Sequence, residues 1–424
     1  MFPDRRLGCI LVAALLLGSC RSEREAEAVE LWAMGREGER VQALVPGFEG
    51  RHPGLRVRVQ QIPWSAAHEK LLTAYVGDSM PDVFQLGSTW VPEFVALRAL
   101  EPLDGWIARS EALRPEDFFP GILDANVIEG ATWGIPWYVD TRLLFYRTDL
   151  FAAAGVASPP RTWSEWLDAL ARVKARAGRD RFAILLPLAE WEPPVIFALQ
   201  RGAELLREGD RYGNFRSPEF REAFAFHLEL FERGFAPGAR GAQVANLYQD
   251  FAAGWFASWI GGPWNLGELE RRLPPALRGS WATAPLPGPD ADHPGISLAG
   301  GASLAIHRGS PRKEAAWRLV EYLSDPGRQI EFHGLTGDLP ARADAWADPA
   351  LARDPRTGSF FAQLQRVRAT PKIPEWERIA QALVRHAEAA IRGEESVDEV
   401  LTQLDAEVDH ILEKRRWLLD RARR

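Results

Sequence analysis

Gly134-Ile135-Pro136-Trp137-Tyr138-Val139-Asp140-Thr141-Arg142-Leu143-Leu144-Phe145-Tyr146-Arg147 is where two kinds of chain meet. From Trp133 to Asp140 the residues are aromatic and polar, and Gly134 and Pro136 break regular structure, so this part reads as turn-prone. From Leu143 to Tyr146 a short apolar run reads as a buried strand. A Pro-flanked aromatic pair, a carboxylate and then a core strand describe a chain that crosses between two lobes and leaves side chains in the cleft. The residues alone leave a second reading open, in which Trp137 and Tyr138 only pack at a strand's start.

Working outward, 424 residues are too many for one ordinary core, so two domains are expected. Hydrophobic residues at 46% and charged residues at 26% describe a soluble globular protein. A net charge of −7 with both signs interspersed argues against nucleic acid as the main partner. Seventeen tryptophans are an excess; their polar N–H makes full burial costly, which points to a lined cleft as well as a core.

Residues 1–20 read as a targeting segment. Arg5 and Arg6 precede an apolar run, Ile10 to Leu17, that is too short to span a bilayer. It ends Leu16-Leu17-Gly18-Ser19-Cys20, which resembles the bacterial lipobox, in which the leader is cleaved before the Cys and lipid joins its sulfur. An ordinary signal peptide that happens to contain a Cys is the alternative. The only other cysteine is Cys9, so a mature chain would carry one terminal thiol and no internal disulfide. Cys20 is therefore the expected lipidation site, and the charged, Ala-rich residues 21–28 the expected tether.

Val29 to Ala33 reads as a strand, Gly35-Arg36-Glu37-Gly38 as a loop, and Val41, Leu44 and Phe48 as a helical stripe. Leu55 to Gln60 then alternates as a half-buried strand. Ligands of α/β folds sit beyond the carboxyl ends of strands, which makes Glu37 a candidate contact, although a glutamate favoured by the helix dipole fits equally. Pro63-Trp64 precedes a helix, and Pro81-Asp82-Val83-Phe84-Gln85-Leu86 is a buried strand ending in the loop Gly87-Ser88-Thr89-Trp90. Thr162-Trp163-Ser164-Glu165 and Ser396-Val397-Asp398-Glu399 are capping boxes. Phe182 to Leu186 is a predicted strand leading into Trp191-Glu192-Pro193-Pro194. Ser217-Pro218 opens a helix whose His227 is read as core, Gly254 to Gly262 is an aromatic strand, and Ser310-Pro311 caps a further helix.

In order, these segments resemble a known family. Pro-Asp-Val-Phe before a small-polar loop, Pro102-Leu103-Asp104, Gly134-Ile135-Pro136-Trp137-Tyr138, Leu144-Phe145-Tyr146-Arg147-Thr148-Asp149-Leu150-Phe151, Gly262-Pro263-Trp264, Gly300-Gly301 and Leu339-Pro340-Ala341-Arg342 are similar to the extracellular solute-binding proteins of ABC importers, in their maltose-binding-like sugar branch. The resemblance implies an α/β, two-lobed periplasmic-binding-protein-like fold of type II, each lobe a mostly parallel sheet flanked by helices. The lobes are expected at 29–139 plus 286–325 and at 140–285 plus 326–424, with crossings near 139–142, 282–286 and 325–331. It also implies a monomer without cofactor or metal, a sugar ligand, permease subunits as partners, and export to the cell envelope with a lipid anchor.

No His-x-x-x-His pair, paired cysteines, nucleophile elbow or phosphate-cradling loop is present. Catalysis is not expected, although 58 acidic residues cannot exclude a two-carboxylate sugar hydrolase by counting. A sugar needs flat aromatic faces for its C–H surface and charged or amide groups for its hydroxyls, inside a concavity. Glu37, Trp64, Trp90, Trp137, Tyr138, Asp140, Trp191, Trp264 and Arg342 are the candidates of those types, with Thr89 in the loop after the Pro-Asp-Val strand. The resemblance adds Gly301, where an absent side chain would let a ligand approach the backbone. Gly87-Ser88-Thr89 departs from the acidic residue of several sugar-binding relatives, and Arg36, Arg142 and Arg342 leave a sugar or glycerol phosphate open.

Overall fold

The computed structural model describes residues 28–238 and 246–422. The leader, Cys20 and the tether up to residue 27 lie outside the described residues. Among the described residues no helix is long and apolar enough to cross a membrane.

The chain opens with β1 (Ala28–Met34), passes straight into the short helix α1 (Gly35–Arg40), and returns as β2 (Arg56–Ile62). Helix α2 (Trp64–Val76) and β3 (Val83–Gly87) follow, then β4 (Ile135–Asp140) and β5 (Leu143–Arg147). Next come α3 (Trp163–Ala177), α4 (Glu192–Gln200), α5 (Pro218–Glu232), β6 (Ser258–Gly261), α6 (Trp264–Arg272) and β7 (Trp281–Ala284). After β8 (Gly300–Ile306) come α7 (Lys313–Leu323), α8 (Pro326–Thr336) and β9 (Leu339–Pro340). The chain ends in α9 (Pro355–Leu364), α10 (Trp376–Ile391), α11 (Val397–Ile411) and α12 (Glu413–Ala422).

A six-stranded sheet has the order β9-β4-β8-β3-β1-β2, and a three-stranded sheet the order β6-β5-β7. The fold is α/β, with strand directions more mixed than expected. β1 runs parallel to β2 and β3, but β8 is antiparallel to β3 and β4, β9 is antiparallel to β4, and both pairings of β5 are antiparallel. Strands that arrive from a different lobe are not bound to the βαβ crossovers that make parallel neighbours.

Because β4 lies in the first sheet and β5 in the second, Thr141 and Arg142 carry the chain between them. The chain leaves the second sheet at β7 and rejoins the first at β8. β9 also sits in the first sheet, so the third crossing follows residue 340 and not 325–331. Helix α9 is then tied to β7, where Thr283 Oγ1 donates to the Arg356 carbonyl and Ser359 Oγ to the Thr283 carbonyl, each at 3.0 Å.

Local chemistry explains most of these elements. β2 is an edge strand, its exposed Arg56 and Arg58 alternating with half-buried Val57 and Val59. β3 is central, with Val83, Phe84, Gln85 and Leu86 all buried. Asp82 ahead of it is a staple: its carboxylate accepts from the Glu30 N–H, from Ser310 Oγ at 2.6 Å and from Arg312 Nε at 2.9 Å. Ser310 therefore serves this staple and accepts from the Arg312 N–H, and α7 has no side-chain cap of its own. Ser396 and Glu399 cap α11 reciprocally. At α3, Thr162 accepts from the Glu165 N–H, but the Glu165 carboxylate takes the Arg161 N–H, one residue outside the box.

Three predicted segments differ. Trp133 to Asp140 contains a full strand, because β4 is paired on both sides and overrides its turn-prone residues. Gly35 to Gly38 is helical. Phe182 to Leu186 makes only isolated bridges, at Phe182–Phe256 and Leu185–Trp259, since its N–H groups are divided among Trp255, Phe235 and Ser258. His227 is buried on α5 and burial pushes its pKa down to about 3, as befits a core imidazole.

Candidate ligand-binding site

A cavity of about 620 Å³ lies between the two sheets, where the carboxyl ends of β1, β3 and β4 and the amino end of β8 converge. Arg36 and Glu37 reach it from α1, Trp64 from the start of α2, and Thr89 and Trp90 from the turn after β3. Tyr138, Asp140 and Arg142 come from β4 and the crossing, and Gly301 from β8. Asp338, between α8 and β9, lines the same wall as Glu37, and the facing wall is Trp191 and Glu192 at the start of α4, Trp264 and Glu268 on α6, and Glu377 on α10.

The first wall rests on a buried chain of hydrogen bonds. Gln85 Oε1 accepts from the Met34 N–H at 2.7 Å, and Gln85 Nε2 donates to the Tyr138 hydroxyl at 2.7 Å. That hydroxyl points to Glu37 Oε1 at 3.5 Å, while Trp64 Nε1 donates to Glu37 Oε2 at 3.3 Å. Trp64 and Trp90 meet edge to face, with ring centroids 5.9 Å apart. Burial raises the Glu37 pKa against these donors. Burial first, and then repulsion by Glu37, push Asp338 up to about 8. The two acids make no ion pair among the described residues and resist ionising together.

Arg142 is the hub of the opposite side. Its Nη1 donates to both oxygens of Asp140, at 2.8 and 2.9 Å, and its Nη2 to Glu192 Oε1 at 2.6 Å. Its guanidinium lies 4.7 Å from the centroid of the Trp264 ring, a cation–π contact. Burial would lower the pKa of Arg142, but Asp140, Glu192 and Glu190 outweigh it and the net shift is upward. Burial raises Asp140 despite Arg142. Glu190, just behind, is pushed up to about 7 by burial and by Glu192.

Glu37, Trp64, Thr89, Trp90, Tyr138, Asp140, Trp191, Trp264 and Gly301 thus line one cavity, and Trp137 and Arg342 do not. Side chains alternate along β4, so with Tyr138 and Asp140 on the cavity face Trp137 points away. It is fully buried and stacks on Phe332 with centroids 4.5 Å apart. Arg342 is 5% exposed and bound to Asp344, to Asp117 at 3.1 Å and to the Ala112 carbonyl at 3.0 Å. It ties the turn after β9 to residues 112–117 and is a structural cation.

Gly301 also has a nearer reason than ligand access. Its φ is +129°, and a Cβ there would stand 2.3 Å from the Tyr138 carbonyl oxygen, so any side chain would strain the pairing of β8 with β4 and force the backbone to shift. The site also includes residues the sequence reading passed over. Glu192 follows Trp191 in the aromatic turn, and Asp338 directly precedes the Leu339-Pro340 strand. Glu268 and Glu377, the latter accepting from Thr89 Oγ1 at 2.6 Å, carry no local signal.

The sequence profile described as "Bacterial extracellular solute-binding protein" matches residues 34–330. The sugar-binding protein MalE of the phytopathogen Xanthomonas citri is 48% identical in sequence, with a TM-score of 0.89 over 93% of this chain and 99% of that one. A solute-binding protein of Thermotoga lettingae, solved with α-D-tagatose, is 26% identical with a TM-score of 0.78 over 91% and 99%. The diacetylchitobiose-binding protein DasA of Streptomyces coelicolor is 26% identical over 88% of this chain and 87% of its own length. Fold, cleft and profile agree, and the chain belongs to the bacterial extracellular solute-binding protein family.

Proposed function

We propose that the protein captures a sugar in the inter-lobe cleft and delivers it to the permease of an ABC importer. The observation that carries this is one concavity of about 620 Å³ into which Trp64, Trp90, Trp191 and Trp264 bring apolar faces beside a set of carboxylates. That pairing is what a sugar ring with hydroxyl edges requires. Sugar-binding relatives named for diacetylchitobiose and arabinooligosaccharide support the class.

In this reading Trp64, Trp90, Trp191 and Trp264 stack on the sugar. Glu37, Tyr138, Asp140 and Thr89 hydrogen-bond its hydroxyls, and the backbone at Gly301 closes one side. The lobes move about the crossings at residues 141–142 and after residue 284, and the permease reads the closed form. A micromolar dissociation constant corresponds to about −8 kcal/mol, within reach of a few stacked rings and hydrogen bonds. The chain acts as a monomer at the cell envelope, exported and anchored through lipid on Cys20. Cys20→Ser is expected to release it from membranes on fractionation, and continued sedimentation with membranes would rule the anchor out.

The deciding test is a tryptophan-fluorescence titration of the purified full chain in detergent against mono-, di- and oligosaccharides. A saturable shift with one sugar class, and unchanged sugar after long incubation, is the expected result. Release of reducing sugar would replace transport with hydrolysis.

A further inference from the structure

The charges of the cleft carry its ligand class one step further. Six carboxylates line it, those of Glu37, Asp140, Glu192, Glu268, Asp338 and Glu377, against two guanidiniums, those of Arg36 and Arg142. Both guanidiniums are engaged through their Nη atoms, and Arg36 Nε, which has no partner among the described residues, is buried. Arg36 gives Nη1 to Glu268 at 3.1 Å and Nη2 to the Leu335 carbonyl at 3.1 Å. Arg142 gives Nη1 to Asp140 and Nη2 to Glu192, and lays its face on Trp264. Glu268 is shared with Arg271 and Arg272, which stand outside the cavity wall. Glu37, Asp338 and Glu377, by contrast, make no ion pair among the described residues.

A phosphate is held best by an unpaired cation, and none lines this cavity among the described residues. With Asp338 keeping its proton to about pH 8, five carboxylates still face two guanidiniums, so an entering anion would meet an excess of like charge in a partly desolvated space. We propose that the cleft admits an uncharged saccharide and rejects phosphorylated or carboxylated ones, with Asp140 and Glu192 setting the rule by occupying both Nη nitrogens of Arg142. This deepens the sugar-binding reading and rests on it for the ligand, and it decides between the two sugar classes that the arginines leave open in the sequence. Glu192 is the specificity-determining residue. Its carboxylate is the partner whose loss exposes Arg142 Nη2 to the cavity without touching the Asp140 bidentate pair.

The test is calorimetric titration of the full chain in detergent with glucose, maltose, their 6-phosphates and inorganic phosphate, on the unmodified protein and on Glu192→Gln. The unmodified chain is expected to bind a phosphorylated sugar at least about a hundredfold more weakly than its parent, and to show no saturable phosphate binding. Glu192→Gln is expected to gain phosphate affinity about tenfold or more. Should its circular dichroism depart from that of the parent, Glu377→Gln removes a cavity carboxylate that has no ion pair among the described residues and, by lowering the excess of negative charge, is expected to act in the same direction. Phosphate or a sugar phosphate binding the unmodified chain within tenfold of the neutral sugar would overturn the proposal, as would no gain in either folded variant. The phosphate arm needs no sugar, so it decides the charge rule even where every saccharide fails and the sugar reading falls.

Discussion

Replacing Asp338 by Asn should stabilise the ligand-free protein, and more so as the pH rises. Asp338 is 5% exposed, and its pKa is pushed from 3.8 up to about 8 by burial and by Glu37. The sign follows from proton counting. An unfolded chain releases this proton near pH 4, while the folded chain holds it until about pH 8. Between those values the unfolded state binds fewer protons, so stability falls as pH rises, by at most about 1.4 kcal/mol per pH unit. From pH 5 to pH 8 the ceiling is about 4 kcal/mol. Water entry and relaxation around the Glu37–Asp338 pair make about 2 kcal/mol the working figure. Asparagine keeps the shape and carries no proton to lose, so its advantage over Asp338 should grow by that amount across the window. Urea unfolding of both proteins at pH 5 and pH 8, followed by tryptophan fluorescence, measures it. An advantage that is the same at both pH values, or larger at pH 5, would refute the claim that these carboxylates are held unpaired against their charge.

Other substitutions separate the site from its support. Trp264 is 39% exposed over Arg142, so Trp264→Ala should weaken sugar binding about tenfold with an unchanged circular dichroism spectrum; unaltered affinity would remove it from the site. Trp137→Ala should cost about 3–5 kcal/mol of stability through the cavity left against Phe332, read by chemical denaturation, and lost affinity at full stability would contradict its assignment to the core. Gly301→Ala should lower stability by about 1–3 kcal/mol because of its positive φ and the Tyr138 carbonyl, and an unshifted midpoint of thermal unfolding would disprove that strain.

What the sequence determined by itself is what short-range chemistry controls. The Ser396–Glu399 cap, the alternation of β2, the apolar runs of β3 and β5, and Trp64, Trp90, Trp191 and Trp264 beside Pro, Gly or small-polar residues all follow from neighbours a few positions apart. Their order along the chain carried the family and the inter-lobe cleft. Tertiary structure decided the rest. Trp137 and Tyr138 are equivalent by composition, and only the pairing of β4 between β8 and β9 sends one into the core and the other into the cavity. Arg342 looked like a ligand contact until Asp117, far back in the chain, took its guanidinium. The antiparallel setting of β8 makes Gly301 a matter of backbone clearance. The acidity of the cleft arises because Glu37, Asp140, Glu192, Glu268, Asp338 and Glu377 come from six separate segments. Burial and Coulomb interactions act through space, so their sum exists only once the lobes are in place.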